Sequence, residues 1–147
     1  MSADKKAMEI ALKVHCVPVL RKLGFKGSFP NFYRNNNDFI SLVNFQFFSS
    51  GGSFCVNLSY ADPQRRNVSY KPDADYRRLR VMHTHARGRI RLGAKNNVGD
   101  HWFHFGKTSY DQFRDNHSPV AELALTCSKL LETDAEQWWR DMLDAQS

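Results

Sequence analysis

Residues 29–60 constrain the fold most, because they read as three consecutive antiparallel strands. Apolar side chains fall on odd positions between Phe39 and Phe47, and on even positions between Phe54 and Tyr60. A period of two is typical of strands. The loop at residues 49–53 supplies the glycines of a tight turn, so the two runs are predicted to form a hairpin.

The register of this hairpin follows from the apolar pattern. Pairing Phe47 with Phe54 gathers the large side chains on one face, and a slip of one residue would exchange core and solvent. The same register sets Asn44 opposite Asn57, and Gln46 opposite Cys55, on the reverse face. We therefore predict a reverse face that is rich in amides.

A third strand is predicted just before the hairpin. Residues 35–38 are an Asn/Asp turn cluster, so Phe29–Arg34 should pair back onto Phe39–Leu42. Pro30 has no N–H to donate, which indicates that this strand lies at an edge of the sheet.

Residues 4–23 are predicted to form an amphipathic helix that covers the sheet and is kinked at Pro18. Its apolar positions at helical spacing are Ala7, Ile10, Val14, Val17 and Leu20.

Two helices are predicted near the C-terminus. Ser118-Pro119 suits a helix start, and Val120, Ala124, Cys127 and Leu131 are predicted to form the buried stripe of that helix. The capping-box spacing of Thr133 and Glu136 predicts a separate helix over 134–143 that turns Trp138 and Met142 inward.

The pattern is weaker between these regions. We predict a short strand at Asn67–Lys71, and a loop at 72–75 that caps a short helix through Arg80. Val81–Leu92 and Trp102–Phe105 are predicted to be the remaining strands. The predicted fold is a single α+β domain over residues 1–147: one antiparallel sheet of about five strands packed by an N-terminal helix and two C-terminal helices.

Three widely spaced cysteines, Cys16, Cys55 and Cys127, include no CxxC pair and read as reduced, buried thiols of a cytoplasmic protein. The N-terminal apolar stretch is interrupted by charged residues and Pro18, so neither a signal peptide nor a membrane span is predicted. The chain is long enough to bury a core without a metal or a disulfide, and no cofactor is predicted.

The net charge of +6 is unevenly distributed. Residues 63–99 hold ten Lys or Arg against two acids, whereas residues 100–147 hold four against nine. The sharpest candidate site lies in this basic region, where an alternation of Arg87, Arg89 and Arg91 along a strand would present a row able to neutralise phosphates. The predicted binding residues of this basic segment are Arg77, Arg78, Arg80, Arg87, Arg89, Arg91 and Lys95.

Two interpretations of the basic segment remain open. It could bind nucleic acid, for which exposed aromatics at Tyr70, Tyr76 or Trp102 would add stacking surfaces. It could instead pair with the acidic C-terminal helices, which we favour because charge runs usually have structural partners.

Two further candidates involve polar side chains. Asn44, Gln46 and Asn57 could make specific contacts with a partner, although a solvent-facing side of a half-covered sheet explains them as well. A weak metal site is possible if neighbouring strands bring together His83, His85, His101 and His104. Hydrogen bonding to ordinary neighbours is the favoured role of these histidines.

The sequence has no nucleophile elbow or phosphate-binding glycine loop, so an enzyme is not favoured.

A series of short segments occurs in a fixed order along the chain: 18–26, 31–34, 43–46, 56–58, the His85-x-Arg87-x-Arg89-Ile90 motif and Asp100–Phe103. In this series the chain resembles the bacterial family called domain of unknown function 4304. The chain departs from the family pattern at the extra Arg91-Leu92, and at Trp138-Trp139 where the family usually has Pro-Phe-Leu. The resemblance implies an α+β fold and a bacterial cytoplasmic setting, and it brings no established activity.

For function, we expect a non-catalytic module that binds a macromolecule, in the first place another protein, as bacterial inhibitor or immunity-type proteins do. The alternatives are a nucleic-acid-binding protein that uses residues 77–95 and a metal-dependent enzyme that uses the histidines. No membrane partner is expected.

Overall fold

A computed structural model describes residues 3–97, 99–106 and 118–146. The chain forms one six-stranded antiparallel sheet with helices at both ends of the sequence, which is the predicted α+β class. The helices are α1 (Ala3–His15), α2 (Val17–Lys22), α3 (Val120–Leu130) and α4 (Glu136–Asp144). The strands are β1 (Lys26–Ser28), β2 (Asn31–Asn36), β3 (Phe39–Phe47), β4 (Ser53–Ala61), β5 (Ile90–Arg91) and β6 (Phe103–His104).

The predicted hairpin register is confirmed residue by residue. In the β3–β4 pair, Phe47 lies opposite Phe54, and Asn44 lies opposite Asn57. β2 pairs with the first part of β3, as the turn cluster at 35–38 predicted. The edge prediction from Pro30 is wrong, because β1 pairs with the outer side of β2 and Pro30 lies in the turn between them.

Sheet order is β1-β2-β3-β4-β5, and β6 pairs with β4 beside β5. β5 meets β4 at Asn57 and Leu58, whereas β6 meets it at Ser53 and Phe54. These two short strands bring distant parts of the chain to the same edge of the hairpin.

The helices cover the phenylalanine face of the sheet and form the main core with it. The stripe predicted for the N-terminal helix is wrong at three of its five positions, because Ala7, Ile10 and Val14 are exposed. Its last two positions are confirmed, since Val17 packs against the core and Leu20 is buried. The side chains that are buried follow an i, i+4 spacing, namely Met8, Leu12, Cys16 and Leu20. The helix also divides at Cys16, because Pro18 at the start of α2 has no N–H for the helical ladder.

The C-terminal helix is continuous. A π-helical turn at Leu131–Ala135 joins α3 to α4, so the predicted capping-box start at Thr133 is wrong. Thr133 Oγ1 instead donates to Lys129 O at 2.8 Å. The two tryptophans dock the last helix, since Trp138 packs on Tyr60 and Trp139 Nε1 donates to Ser59 O at 3.0 Å.

A half-buried ion pair ties the sheet to this helix. Arg34 donates to both carboxylate oxygens of Glu136, at 2.6 and 2.8 Å. Its guanidinium also lies over the rings of Phe25 and Trp139, 4.4 and 5.3 Å from their centroids.

The segment 62–94, which we call the covering segment, folds over one half of the reverse face and buries a second, smaller core. This core comprises Ile40, Leu42, Ala61, Val68, Leu79 and Val81. The strand predicted over Val81–Leu92 is wrong: two 3₁₀ turns, Val81–His83 and Ala86–Gly88, precede the two-residue strand β5. The strand predicted at Asn67–Lys71 is reduced to one bridge between Val68 and Thr84.

The predictions of a short helix after the loop at 72–75 and of a strand at 102–105 are confirmed in outline. A short 3₁₀ helix at Tyr76–Arg78 follows the loop at 72–75, and the Asp75 carboxylate caps it by accepting from Arg77 N. β6 lies within the strand predicted at Trp102–Phe105.

Within the described ranges, none of the helices has the length and apolar character needed to cross a membrane.

Candidate functional site

The amides of the reverse face form one hydrogen-bonded row. Asn44 Nδ2 donates to Asn31 Oδ1 at 2.9 Å, and Asn57 Nδ2 donates to Asn44 Oδ1 at 3.0 Å and to Gln46 Oε1 at 2.9 Å. The antiparallel register creates the row, because it sets Asn31, Asn44 and Asn57 side by side on three neighbouring strands. We call Asn31, Asn44, Gln46 and Asn57 the amide row.

Arg91 continues the amide row on β5. The register sets Arg91 opposite Asn57, and Arg91 Nε donates to Asn57 Oδ1 at 3.1 Å. Asp100 holds the other end of the guanidinium through a 2.6 Å contact with Nη1. Trp102 completes the group, since its ring lies 4.8 Å from the guanidinium carbon and its Nε1 donates to Asp100.

The thiol of Cys55 lies beneath the row. Cys55 Sγ is 3.7 Å from both Gln46 Oε1 and Asn57 Oδ1, and the residue is fully buried. Burial raises the pKa of Cys55 to about 11, although the Arg91 charge works against this shift. The thiol is therefore protonated at neutral pH and contributes a weak donor to the row rather than a nucleophile.

Three members of the row, Asn44, Gln46 and Asn57, form part of the lining of an open cleft of about 910 Å³. The loop edge of segment 62–94 bounds the cleft on one side with Met82 and Ile90, and α1 contributes Lys5 and Lys13 on the other. Met82 is 64% exposed there. We call this space the cleft; it offers amides, cations and apolar surface together.

Arg89 lies at the wall of the cleft and binds backbone carbonyls of the covering segment. Its Nη2 donates to Met82 O at 3.0 Å and to Thr84 O at 2.6 Å. Its Nε is buried and has no hydrogen-bond partner among the described residues.

The arginine row predicted at residues 87–91 does not form. Arg87 is an exposed residue of a 3₁₀ turn, Arg89 binds loop carbonyls, and Arg91 alone lies on a strand. A row requires the alternation of an extended strand, which the turn at Ala86–Gly88 breaks.

The other basic residues are dispersed. Arg77 pairs with Asp75, and Arg80 donates to the carbonyls of Arg77 and Leu79. The side chains of Arg78, Arg87 and Lys95 make no hydrogen bond or ion pair with the described residues. The favoured pairing with the C-terminal helices is wrong, since within the described chain no residue of 77–95 forms an ion pair with residues 118–146.

A second pocket of about 820 Å³ lies on the covering segment. Tyr70 is 55% exposed in it. Asp75 accepts from Arg77 Nε and Nη2 at 3.0 and 2.8 Å, and these bonds lower the pKa of the Asp75 carboxyl. We call this space the Tyr70 pocket; its lining includes Tyr70, Lys71, Ala74, Arg77, Arg78 and His83.

The four histidines are not brought together. His83 packs on Tyr70, His101 packs on Phe103, and His104 Nδ1 lies 2.7 Å from Ser53 Oγ. His85 is exposed. Among the described residues, no group of three or more His, Cys, Asp or Glu side chains could hold a metal ion.

Two residues of the cleft lining, Met82 and Asp100, were not predicted as site residues from the sequence. Asn31, which joins the amide row but does not line the cleft, was assigned only to a strand. Asn31 could have been found, because the predicted strand pairing extended by two residues sets it opposite Asn44. Asp100 could not, because its contact with Arg91 depends on the path of an irregular loop.

Comparison with known proteins gives one match. The family model described as "Domain of unknown function (DUF4304)" matches residues 16–141, which include the whole sheet and the amide row. Neither the curated proteins nor the solved structures include a match to the chain.

Proposed function

Because the chain belongs to the family described as domain of unknown function (DUF4304), whose description carries no activity, we propose a function from its own geometry. The protein is a non-catalytic module that binds another protein through the cleft. The observation that carries this proposal is a hydrogen-bonded network in an open cleft: Asn57 of the amide row bonds with Asn44, Gln46 and Arg91, and all four residues line the cleft.

The composition of the cleft suits a protein partner. Protein interfaces combine apolar surface with hydrogen-bonding groups, and they are enriched in Met, aromatic residues and Arg. The cleft has Met82 and Ile90 beside the amide row, with Arg91 at its end. Phe48, which is exposed, packs against Trp102 next to this end.

The order of the row favours tight binding. Each amide is already oriented by a neighbour, so little side-chain freedom is lost when a partner binds. A partner that hydrogen-bonds to the N–H and carbonyl groups that the row leaves free is therefore selected over one that covers those groups without bonding to them.

The charges of the cleft favour an acidic segment of the partner. Four cationic side chains line it against two acidic ones, Glu9 and Asp100. Each of these acids already has a cation beside it: Glu9 is 3.5 Å from Lys13, and Asp100 is 2.6 Å from Arg91.

The lining also argues against catalysis. No histidine belongs to the described lining of the cleft, and burial keeps the nearby Cys55 thiol protonated at neutral pH. General acid–base chemistry needs a group whose pKa lies near the working pH.

The concrete form of the proposal is an inhibitor or immunity-type protein of the bacterial cytoplasm, which masks a partner through one rigid surface. The cytoplasmic setting is supported by three cysteines that are all free and buried.

Affinity capture of the tagged chain from its native host, followed by mass spectrometry, tests the proposal. We expect one protein recovered in stoichiometric amount, with an acidic segment accessible on its surface. Recovery of no stoichiometric partner under gentle, low-salt conditions would contradict the proposal.

A further inference from the structure

The Tyr70 pocket is a site separate from the cleft. It is built from residues 70–83 of the covering segment, and the residues that line it do not line the cleft. Its volume of about 820 Å³ is within the usual range of small-molecule sites. Any ligand of this pocket can therefore bind independently of a protein in the cleft.

The cations of the pocket suit a phosphate group. The Arg78 side chain is exposed and makes no hydrogen bond or short ion pair with the described residues, although its charge helps to lower the pKa of the nearby Asp75 carboxyl. Lys71 lies close by, with its Nζ 5.4 Å from the centroid of the Tyr70 ring. Arg77 is already held by Asp75, so Arg78 and Lys71 are the two cations available to an anion.

Lys71 is held near Tyr70 by an uncommon backbone conformation. Its φ of 49° lies in the left-handed region, which residues other than glycine, asparagine and aspartate seldom adopt. Ala74 N donates to Lys71 O at 3.0 Å, and Arg65 Nη1 donates to the carbonyls of Pro72 and Ala74, both at 3.1 Å. The loop that carries Lys71 is therefore fixed on both sides.

The aromatic part of the pocket suits a planar base. The Tyr70 ring is exposed and lies 5.4 Å from the His83 ring at an interplanar angle of 36°. Exposed aromatic rings beside cations are the stacking platforms of nucleotide-binding surfaces. Lys71 has a flexible stem, so its amine can leave the ring for a phosphate while the base stacks on Tyr70.

His83, which also lines the pocket, carries one ring N–H as a donor. Its Nδ1 accepts from Arg80 N at 3.1 Å, so the proton of the neutral ring resides on Nε2. Burial, together with the Arg80 and Lys71 charges, lowers the pKa of His83 and keeps it neutral at neutral pH. Asp73, an exposed residue of the lining, can accept from ribose hydroxyls or from an exocyclic amine.

We propose that the Tyr70 pocket binds a nucleotide, with the base stacked on Tyr70 and the phosphate held by Arg78 and Lys71. A free mononucleotide and the end of a single-stranded nucleic acid present this same chemistry. The proposal goes beyond protein binding and does not depend on the cleft.

Titration calorimetry of the full chain at low salt tests this proposal with four probes: AMP, adenosine, inorganic phosphate and a short oligoadenylate. We expect AMP to bind more tightly than adenosine or inorganic phosphate, because it alone among these three makes both contacts. If oligoadenylate binds at least about tenfold more tightly than AMP, the natural ligand is a single-stranded nucleic acid. If its affinity is closer to that of AMP, or lower, the natural ligand is a free nucleotide.

Two variants and one control locate the site. Tyr70→Leu and Arg78→Gln should each weaken AMP binding about tenfold, whereas Arg87→Gln, an exposed arginine outside the pocket, should change it less than about twofold. Arg78 is exposed and its side chain forms no hydrogen bond with the described residues, so Arg78→Gln tests the site even if Tyr70→Leu unfolds the segment. Absence of AMP binding at millimolar concentration, phosphate binding as tight as AMP, or equal effects of Arg78→Gln and Arg87→Gln would overturn the proposal.

Discussion

Arg91 Nε donates a 3.1 Å hydrogen bond to Asn57 Oδ1, which ties the two-residue strand β5 to the amide row. The same Asn57 amide donates through Nδ2 to Asn44 and Gln46. Both N–H donors and the carbonyl oxygen of this side chain are therefore in use. Asn57 is the centre of the row, and its neighbours are oriented through it.

Replacing Asn57 by alanine should lower the free energy of unfolding by about 1–3 kcal/mol, because it leaves Asn44, Gln46 and Arg91 without their shared partner. The measurement is urea-induced unfolding. Asn36→Ala is the matched control, since Asn36 is an exposed strand residue and its loss should cost less than about 0.5 kcal/mol. Equal losses in the two variants would show that the row does not stabilise the fold.

Removing Glu136 should be more costly than removing Glu9, a more exposed acid. Arg34 and Glu136 are 19% and 12% exposed, so Glu136→Ala leaves a guanidinium without its carboxylate over two aromatic rings and should cost about 3 kcal/mol. Glu9→Ala, which breaks the exposed pair with Lys13, should cost less than about 1 kcal/mol. Chemical unfolding of both variants measures the difference, and a cost below about 1 kcal/mol for Glu136→Ala would contradict the structural role of the pair.

Arg89 and Arg87 are two residues apart, and only Arg89 hydrogen-bonds to backbone carbonyls of the covering segment. Arg89→Ala should destabilise the protein by about 2 kcal/mol, because it frees the carbonyls of Met82 and Thr84. Arg87→Ala should be nearly neutral. Hydrogen exchange should report faster opening of residues 81–89 in the Arg89 variant alone, and unchanged exchange there would show that the guanidinium does not hold the loop.

The Cys55 thiol should make stability depend on alkaline pH. Its folded pKa of about 11 exceeds the ordinary value of 9.0, so the folded state keeps a proton that the unfolded state releases. Stability from this group is complete below pH 9.0 and is lost as the pH rises toward 11. The unfolding free energy of the wild type should therefore fall relative to Cys55→Ala across this interval.

A constant difference between the two proteins across that interval would mean that the folded-state pKa of Cys55 is not raised. At neutral pH, a thiol reagent should also react slowly with the native wild type and rapidly after unfolding.

The sequence was sufficient to predict the hairpin and the reverse-face amides. The phenylalanines of β3 and β4 allow one register, and that register alone determines that Asn44 faces Asn57. The buried face of α1 was harder to predict, because apolar residues lie on two faces of this helix. Met8 and Leu12 pack inward, while Ile10 and Val14 remain exposed.

The covering segment could not be predicted from periodicity. It is held by side chain to backbone bonds, such as those of Asn67 with Tyr60 O and of Arg89 with Thr84 O, which leave no repeat in the sequence. Arg87, Arg89 and Arg91 alternate in the sequence, but a 3₁₀ turn directs them to different surroundings. The single-domain prediction and the predicted partners remain predictions.

The affinity of the captured partner for two matched variants tests the central proposal most directly. Met82 is 64% exposed at the cleft, and Ile10 is 52% exposed on α1 and does not line the cleft. Titration calorimetry should show that Met82→Asp weakens binding at least about tenfold, since it adds a negative charge against an acidic partner. Ile10→Asp should change the affinity less than about twofold. Unchanged affinity for Met82→Asp, or an equal loss with Ile10→Asp, would contradict binding through the cleft.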